Sequence, residues 1–208
     1  MDHVRAAQTA EDVRLSDEEA LGASLEGDVQ AFGVLVERYQ DVAFRAAYLV
    51  TRDAGAAEDV CQEAFLRAHR HLGRFRVGEP FRPWLLRIVT NQAKNQVRSR
   101  GRREGLLARL RPRAPEVIGV ASGPEREVEA AERKEQVLHA MNRLSLEDRE
   151  VLYLRHFLDL PEREIAEVIG KRPGTVKSRL SRARGRLRAV IEERYPTLAA
   201  EEMGTTDA

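Results

Sequence analysis

The sequence predicts an all-α protein: two small helical-bundle domains joined by a linker, the second containing a helix-turn-helix. Three observations lead there. Apolar residues recur at helical spacing in one segment after another, and no stretch shows the two-residue alternation of a strand. Residues 101–125 lose that periodicity and hold Gly101, Gly105, Pro112, Pro115, Gly119, Gly123 and Pro124, the composition of a linker. Residues 162–181 carry the small, turn and apolar residues that a helix-turn-helix needs. The expected division is an acidic tail over 1–19, a first domain over 20–103, a linker over 104–127, a second domain over 128–193 and a tail over 194–208.

The first domain opens at Ser16-Asp17-Glu18-Glu19, a capping box with Ser at the cap and Glu three residues later. Phe32, Leu35, Val36 and Tyr39 continue at helical spacing through Val42, Ala46 and Leu49, and Asp53-Ala54-Gly55 reads as a break. Over Glu58 to Leu72, the residues Val60, Ala64, Phe65, Ala68 and Leu72 make one apolar stripe. Gly73 to Pro83 reads as a loop. From Trp84 to about Arg100, Leu86, Val89, Ala93 and Val97 form an apolar side, while Arg87, Asn91, Lys94 and Arg98 form a basic and amide side.

The second domain resumes with a helix over Val128 to Leu144. Ser145, with Asp148 three residues on, caps the next, whose core side is Val151, Leu152, Leu154 and Phe157. Pro161 suits a helix first turn, Ile165, Ala166 and Ile169 are buried candidates, and Gly170 ends that helix. A final helix follows Lys171-Arg172-Pro173-Gly174 and carries Val176, Leu180, Ala183, Leu187 and Val190. Residues past Tyr195 read as frayed.

Composition limits the functions open to such a chain. Its 208 residues include one cysteine, Cys61, so neither an intrachain disulfide nor a cysteine-based metal site can form. The first thirty residues carry eight acids and two bases with no apolar core, unlike a secretion signal. No apolar run approaches the roughly 20 residues needed to span a bilayer. A soluble cytoplasmic protein with no membrane contact of its own is expected. The net charge of +1 hides an asymmetry: residues 87–113 hold nine bases and one acid, and residues 171–188 hold eight bases and no acid. Two basic blocks on an otherwise acidic chain suggest two polyanion contacts; the plainer alternative is two solvated helix faces. His69 and His71, two residues apart, point to different helix sides. No nucleophile, base and orienting group come together, and no phosphate-binding glycine loop is present. An enzyme is therefore not expected, nor is a cofactor or a metal.

In the helix-turn-helix, Ala166 is the small residue where the two helices touch, Gly170 tolerates the turn, and Val176 and Leu180 lock the second helix. A helix fits the major groove, with side chains near its N-terminus reaching base edges. Thr175, Lys177, Ser178 and Arg179 are best placed to read bases. Arg182, Arg184, Arg186 and Arg188 are suited to phosphates, which fix register. Arg172 and Ser181 complete the candidate duplex-binding set.

Two segments in order are similar to a known family. Residues 59–68 (Asp-Val-Cys-Gln-Glu-Ala-Phe-Leu-Arg-Ala), the run from Phe75 to Trp84 and residues 87–95 (Arg-Ile-Val-Thr-Asn-Gln-Ala-Lys-Asn) resemble the first conserved domain of extracytoplasmic-function sigma factors. Residues 174–184 (Gly-Thr-Val-Lys-Ser-Arg-Leu-Ser-Arg-Ala-Arg) resemble their second. The resemblance covers about residues 20–103 and 130–192.

It implies that the helix from Glu58 to Arg70 binds the clamp helices of the largest subunit of RNA polymerase core through Asp59, Gln62, Glu63 and Arg67; a solvated face is the alternative for these residues. It implies that the next helix and its preceding loop read the −10 promoter element by trapping bases of the melted strand. Asn91 and Asn95 would supply amides, Arg87, Lys94, Arg98 and Arg100 a cationic track, and Phe75 part of a pocket wall. Phe81 and Trp84 are stacking platforms or core. The second domain would read the −35 element as duplex and touch the β flap, and the linker would thread the polymerase. Contacts between its own domains, or an anti-sigma factor, would hold the free protein inactive. Ser145-Leu146 stands where the family often has Leu-Pro, and Pro161 where Ser or Tyr is usual. A conventional helix-turn-helix regulator would explain residues 130–192 but not the Asn-rich basic helix.

Overall fold

The structure, a computed structural model, describes residues 15–76, 78–104, 133, 136–196 and 198; most of both tails and residues 105–127 of the expected linker lie outside them, while residues 101–104, where the sequence suggested that helical order is already lost, continue the helix that starts at Phe81. Among the described residues the chain is helical throughout, without strands.

Helix α1 spans Asp17–Leu25, and its capping box forms in full. The Glu19 amide donates to Ser16 Oγ at 3.2 Å, and the Ser16 amide donates to Glu19 Oε2 at 2.8 Å. Asp17 accepts from both Arg38 and Tyr39 of the next helix, which ties α1 down. Helix α2, Val29–Thr51, starts where Asp28 accepts from the amides of Gln30 and Ala31, and ends at Arg52 in the left-handed conformation, φ 54°.

Helix α3 is Ala54–Arg70, four residues longer at its start than the sequence suggested. The expected break at Asp53-Ala54-Gly55 is instead a helix start: Asp53 Oδ1 accepts from the Ala56 amide at 2.8 Å, satisfying a donor the first turn leaves free. The buried faces of α2 and α3 are rich in alanine (Ala43, Ala46, Ala47; Ala57, Ala64, Ala68), which permits close approach of the two axes. A 3₁₀ turn over Leu72–Arg74 leads to helix α4, Phe81–Glu104. That helix begins three residues before Trp84, because Pro83 falls in a first turn, where its missing N–H is no loss. Leu85, Leu86, Val89 and Ala93 are fully buried on α4, whereas Val97, expected on the same side, is 38% exposed.

Residues 136–141 are helical and precede helix α5, Leu146–His156. Ser145 caps α5 by accepting from the Asp148 amide at 3.2 Å. The Asp148 carboxylate turns away to Arg186 at 2.6 Å, so only half of the expected box forms. Helix α6, Glu162–Ile169, ends at Gly170 with φ 64°, a conformation a Cβ disfavours. Helix α7, Pro173–Arg194, starts with Pro173 in its first turn. Leu198, expected in a frayed tail, is 5% exposed and packs with Ala140 and Ile191.

Seven consecutive residues of α5, Asp148 to Leu154, are buried. A helix buried on every side needs partners on every side. One set is α7 and α6 of its own half; the other is the first half, with α5 touching α2 and α6 lying along α4. The apolar core is accordingly continuous from Ala20 to Ala183.

Candidate nucleic-acid interface

Helix α7 presents the first surface. Val176, Leu180 and Ala183 face the core, and Ala166, 4% exposed, sits on the facing helix α6. Lys171, Arg172, Lys177, Ser178, Ser181, Arg182, Arg184 and Arg188 are exposed, and Thr175 is half-buried. Ser178 donates to the Thr175 carbonyl at 3.0 Å, and Arg182 Nε to the Ser178 carbonyl at 3.1 Å, so these side chains fold back along the helix. Arg179 is held differently. Its guanidinium lies 2.5 Å from Glu147 Oε2 on α5, with the Arg179 side chain 22% exposed. Arg179, Arg182, Arg186, Arg143, Glu147 and Asp148 line a cleft of about 650 Å³ between α5 and α7. Pattern alone did not reveal these acidic partners: Asp148 reads only as part of the Ser145 cap, and nothing in the sequence singles out Glu147.

Helix α4 presents the second. Arg87, Asn91, Asn95 and Arg98 are exposed. Arg100 pairs with Asp53, the cap of α3, at 3.4 Å. Lys94 points elsewhere: its Nζ lies 2.7 Å from Oε1 and 2.8 Å from Oε2 of Glu150 on α5. The Glu150 side chain is 4% exposed; burial raises its pKa from the ordinary 4.5, and the Lys94 charge pulls it back. Phe75 is not a surface group in this arrangement. It is 7% exposed, and its ring lies edge-on to Trp84 (5.2 Å) and Phe81 (5.9 Å). Phe81 also packs on Tyr39, so these aromatics hold the start of α4 to α2.

On α3, Asp59, Gln62 and Arg67 are exposed and Glu63 is half-buried. Leu66, 54% exposed, stands beside them. Sequence reasoning passed over it, although its absence from the Val60–Phe65–Ala68 stripe was a usable signal. Cys61 is half-buried, its thiol pushed up to about 11 by burial and the nearby Glu58. The ring of His69 packs edge-on against Phe32 at 4.9 Å. Among the described residues no three acidic, histidine or cysteine side chains gather as a metal site, and no helix is long and apolar enough to cross a membrane.

Comparison with known proteins gives two family descriptions, "Sigma-70 region 2" over residues 35–103 and "Sigma-70, region 4" over residues 134–187. The chain is 32% identical over 176 residues to the RNA polymerase sigma factor NccH of Alcaligenes xylosoxydans xylosoxydans, covering 85% of this chain and 95% of that one. It is 34% identical over 178 residues to the ECF RNA polymerase sigma-E factor of Escherichia coli, covering 82% and 92%. Among solved structures, the sigma factor RpoE in complex with the anti-sigma factor NepR from Bartonella quintana matches with a TM-score of 0.66 at 25% identity, covering 79% of this chain and 98% of that one.

Proposed function

The chain belongs to the extracytoplasmic-function group of the sigma-70 family of RNA polymerase sigma factors, and from that premise we propose how its surfaces divide the work of transcription initiation. Region 2, carrying α1 to α4, docks on the clamp helices of core polymerase through Asp59, Gln62, Glu63 and Arg67, with Leu66 as an apolar contact among them. Helix α4 then takes the −10 element. Asn91 and Asn95 hydrogen-bond bases drawn from the stack, and Arg87, Lys94, Arg98 and Arg100 follow the backbone. Region 4 lays α7 in the major groove of the −35 element and meets the β flap. Lys177, Ser178 and Arg179 reach base edges, while Arg182, Arg184 and Arg188 grip phosphates. The sigma factor RpoE of Bartonella quintana is solved in complex with the anti-sigma factor NepR, and a partner of that kind is the expected regulator here.

The observation that carries this reading is the exposed face of α7, five arginines and lysines from Lys177 to Arg188 with no acid between them, beside a second cationic helix in the same chain. A lone duplex-binding regulator needs only the first. Run-off transcription with purified core tests the assignment. Asn91→Ala combined with Asn95→Ala should leave core binding intact and depress open-complex formation. Undiminished open complexes would remove α4 from the −10 role.

A further inference from the structure

Helix α7 carries its cations in two stripes. Lys177, Arg184 and Arg188, at i, i+7 and i+11, share one exposed stripe. Arg179, Arg182 and Arg186, at i, i+3 and i+7, line the cleft against α5. Each cation of the second stripe is held. Arg182 Nε donates to the Ser178 carbonyl at 3.1 Å, Arg186 Nη1 to Asp148 Oδ2 at 2.6 Å, and Arg179 Nη1 to Glu147 Oε2 at 2.5 Å. Of these three, Arg179 alone lies in the first two turns of α7, the part of a recognition helix that reaches base edges. Its side chain is 22% exposed, so the stem packs in the cleft, whereas Glu147 is 69% exposed. Glu147 stands on a fixed base. It is the second residue of α5, whose start is capped where Ser145 Oγ accepts from the Asp148 amide at 3.2 Å.

We propose that Glu147 is a positioning residue for −35 recognition, which holds the guanidinium of Arg179 in the direction from which it reads a base. This rests on the reading of Arg179 as a base contact. A free arginine side chain has many rotamers and loses them when it docks on a base edge. With Nη1 held by Glu147, those rotamers are fixed before DNA arrives. The edge of the planar fork formed by Nε and Nη2 is left for the duplex, and it matches O6 and N7 of a guanine. The carboxylate has two opposed effects. Its charge stands beside a polyanion and weakens binding to every duplex alike. Its grip on Arg179 favours only a sequence that offers acceptors where the fork points. Glu147 therefore lowers affinity in common and widens the gap between sequences.

The two effects separate in a binding experiment. Full-length protein bound to core polymerase first selects its preferred −35 sequence from a randomised promoter pool. Each variant is then measured on that promoter and on copies altered at single −35 base pairs. Glu147→Ala should lower the ratio of preferred to altered affinity at one base pair by about three- to tenfold. Glu147→Gln keeps an acceptor oxygen at the same reach without the charge, and should retain part of that ratio. Arg179→Ala should lower the ratio at the same base pair by roughly tenfold or more, and adding Glu147→Ala should lower it no further. Asp148→Asn breaks the other α5–α7 pair; it should leave the ratio at the wild-type value while lowering the urea midpoint. If Glu147→Ala and Glu147→Gln both tighten binding to all promoters alike, Glu147 is only a repelling charge and the proposal is overturned. An equal loss of discrimination in Asp148→Asn also overturns it, since loosened helix packing would then be the cause. Discrimination that survives Arg179→Ala overturns instead the base-reading role of Arg179, and with it the positioning.

Discussion

Replacing Lys94 by Met keeps the aliphatic stem and removes only the charge, so packing against α5 is preserved while Glu150 loses its partner. Breaking a buried pair from one side costs about 3–5 kcal/mol when the remaining charge has no escape. Glu150 has one: it can take a proton. Protonating a carboxyl of ordinary pKa 4.5 costs about 1.4 kcal/mol for each pH unit above that value, or about 3.4 kcal/mol at pH 7. Burial already raises this group, so a net loss of about 2–3 kcal/mol is expected at pH 7. The sign follows from linkage. In the variant, folded Glu150 holds a proton that the unfolded chain has released above pH 4.5, so stability falls as pH rises. The slope approaches about 1.4 kcal/mol per unit and flattens once pH passes the folded pKa. Urea unfolding followed by far-UV circular dichroism at several pH values between about 5 and 8 measures both quantities. A loss below about 0.5 kcal/mol, or one that does not change with pH, would refute the claim that Glu150 is a buried charge held by Lys94.

Three further outcomes test other parts of the molecule. Gly170→Ala forces a Cβ into the left-handed turn between α6 and α7 and should destabilise the fold by about 1 kcal/mol in the same urea assay, with a matching loss of −35 duplex affinity. Asp53→Ala removes the cap of α3 and the partner of Arg100 together; the unfolding free energy should fall by about 1–2 kcal/mol, read as a lower urea midpoint, and an unchanged midpoint would show that α3 does not depend on its cap. Arg184→Ala should lower holoenzyme affinity alike for cognate and altered −35 duplexes and reduce the salt slope by about 0.9, whereas selective loss on the cognate site would make it a base contact.

Much of this protein is written locally. The capping box at Ser16, the stripe on α3, the end of α6 at Gly170 and the locked pair Val176 and Leu180 follow from spacing and backbone preference within a few residues. Boundaries slipped where a residue serves two roles. Asp53 looked like part of a loop because acids favour turns, and it proved to be a helix cap for the same reason. Phe75 sat in a loop of glycines and prolines, yet ring packing with Phe81 and Trp84 drew it inward.

The sequence by itself determined that the chain is helical, that it carries two cationic helices, and that one of them belongs to a helix-turn-helix. Periodicity and charge density are properties of neighbouring residues and survive without a structure. The tertiary structure decided which cations are free. Glu150, which the sequence alone does not single out, is buried against Lys94, 56 positions away. Nothing local encodes that pairing, because it arises only when two apolar faces, each specified separately, meet in one continuous core.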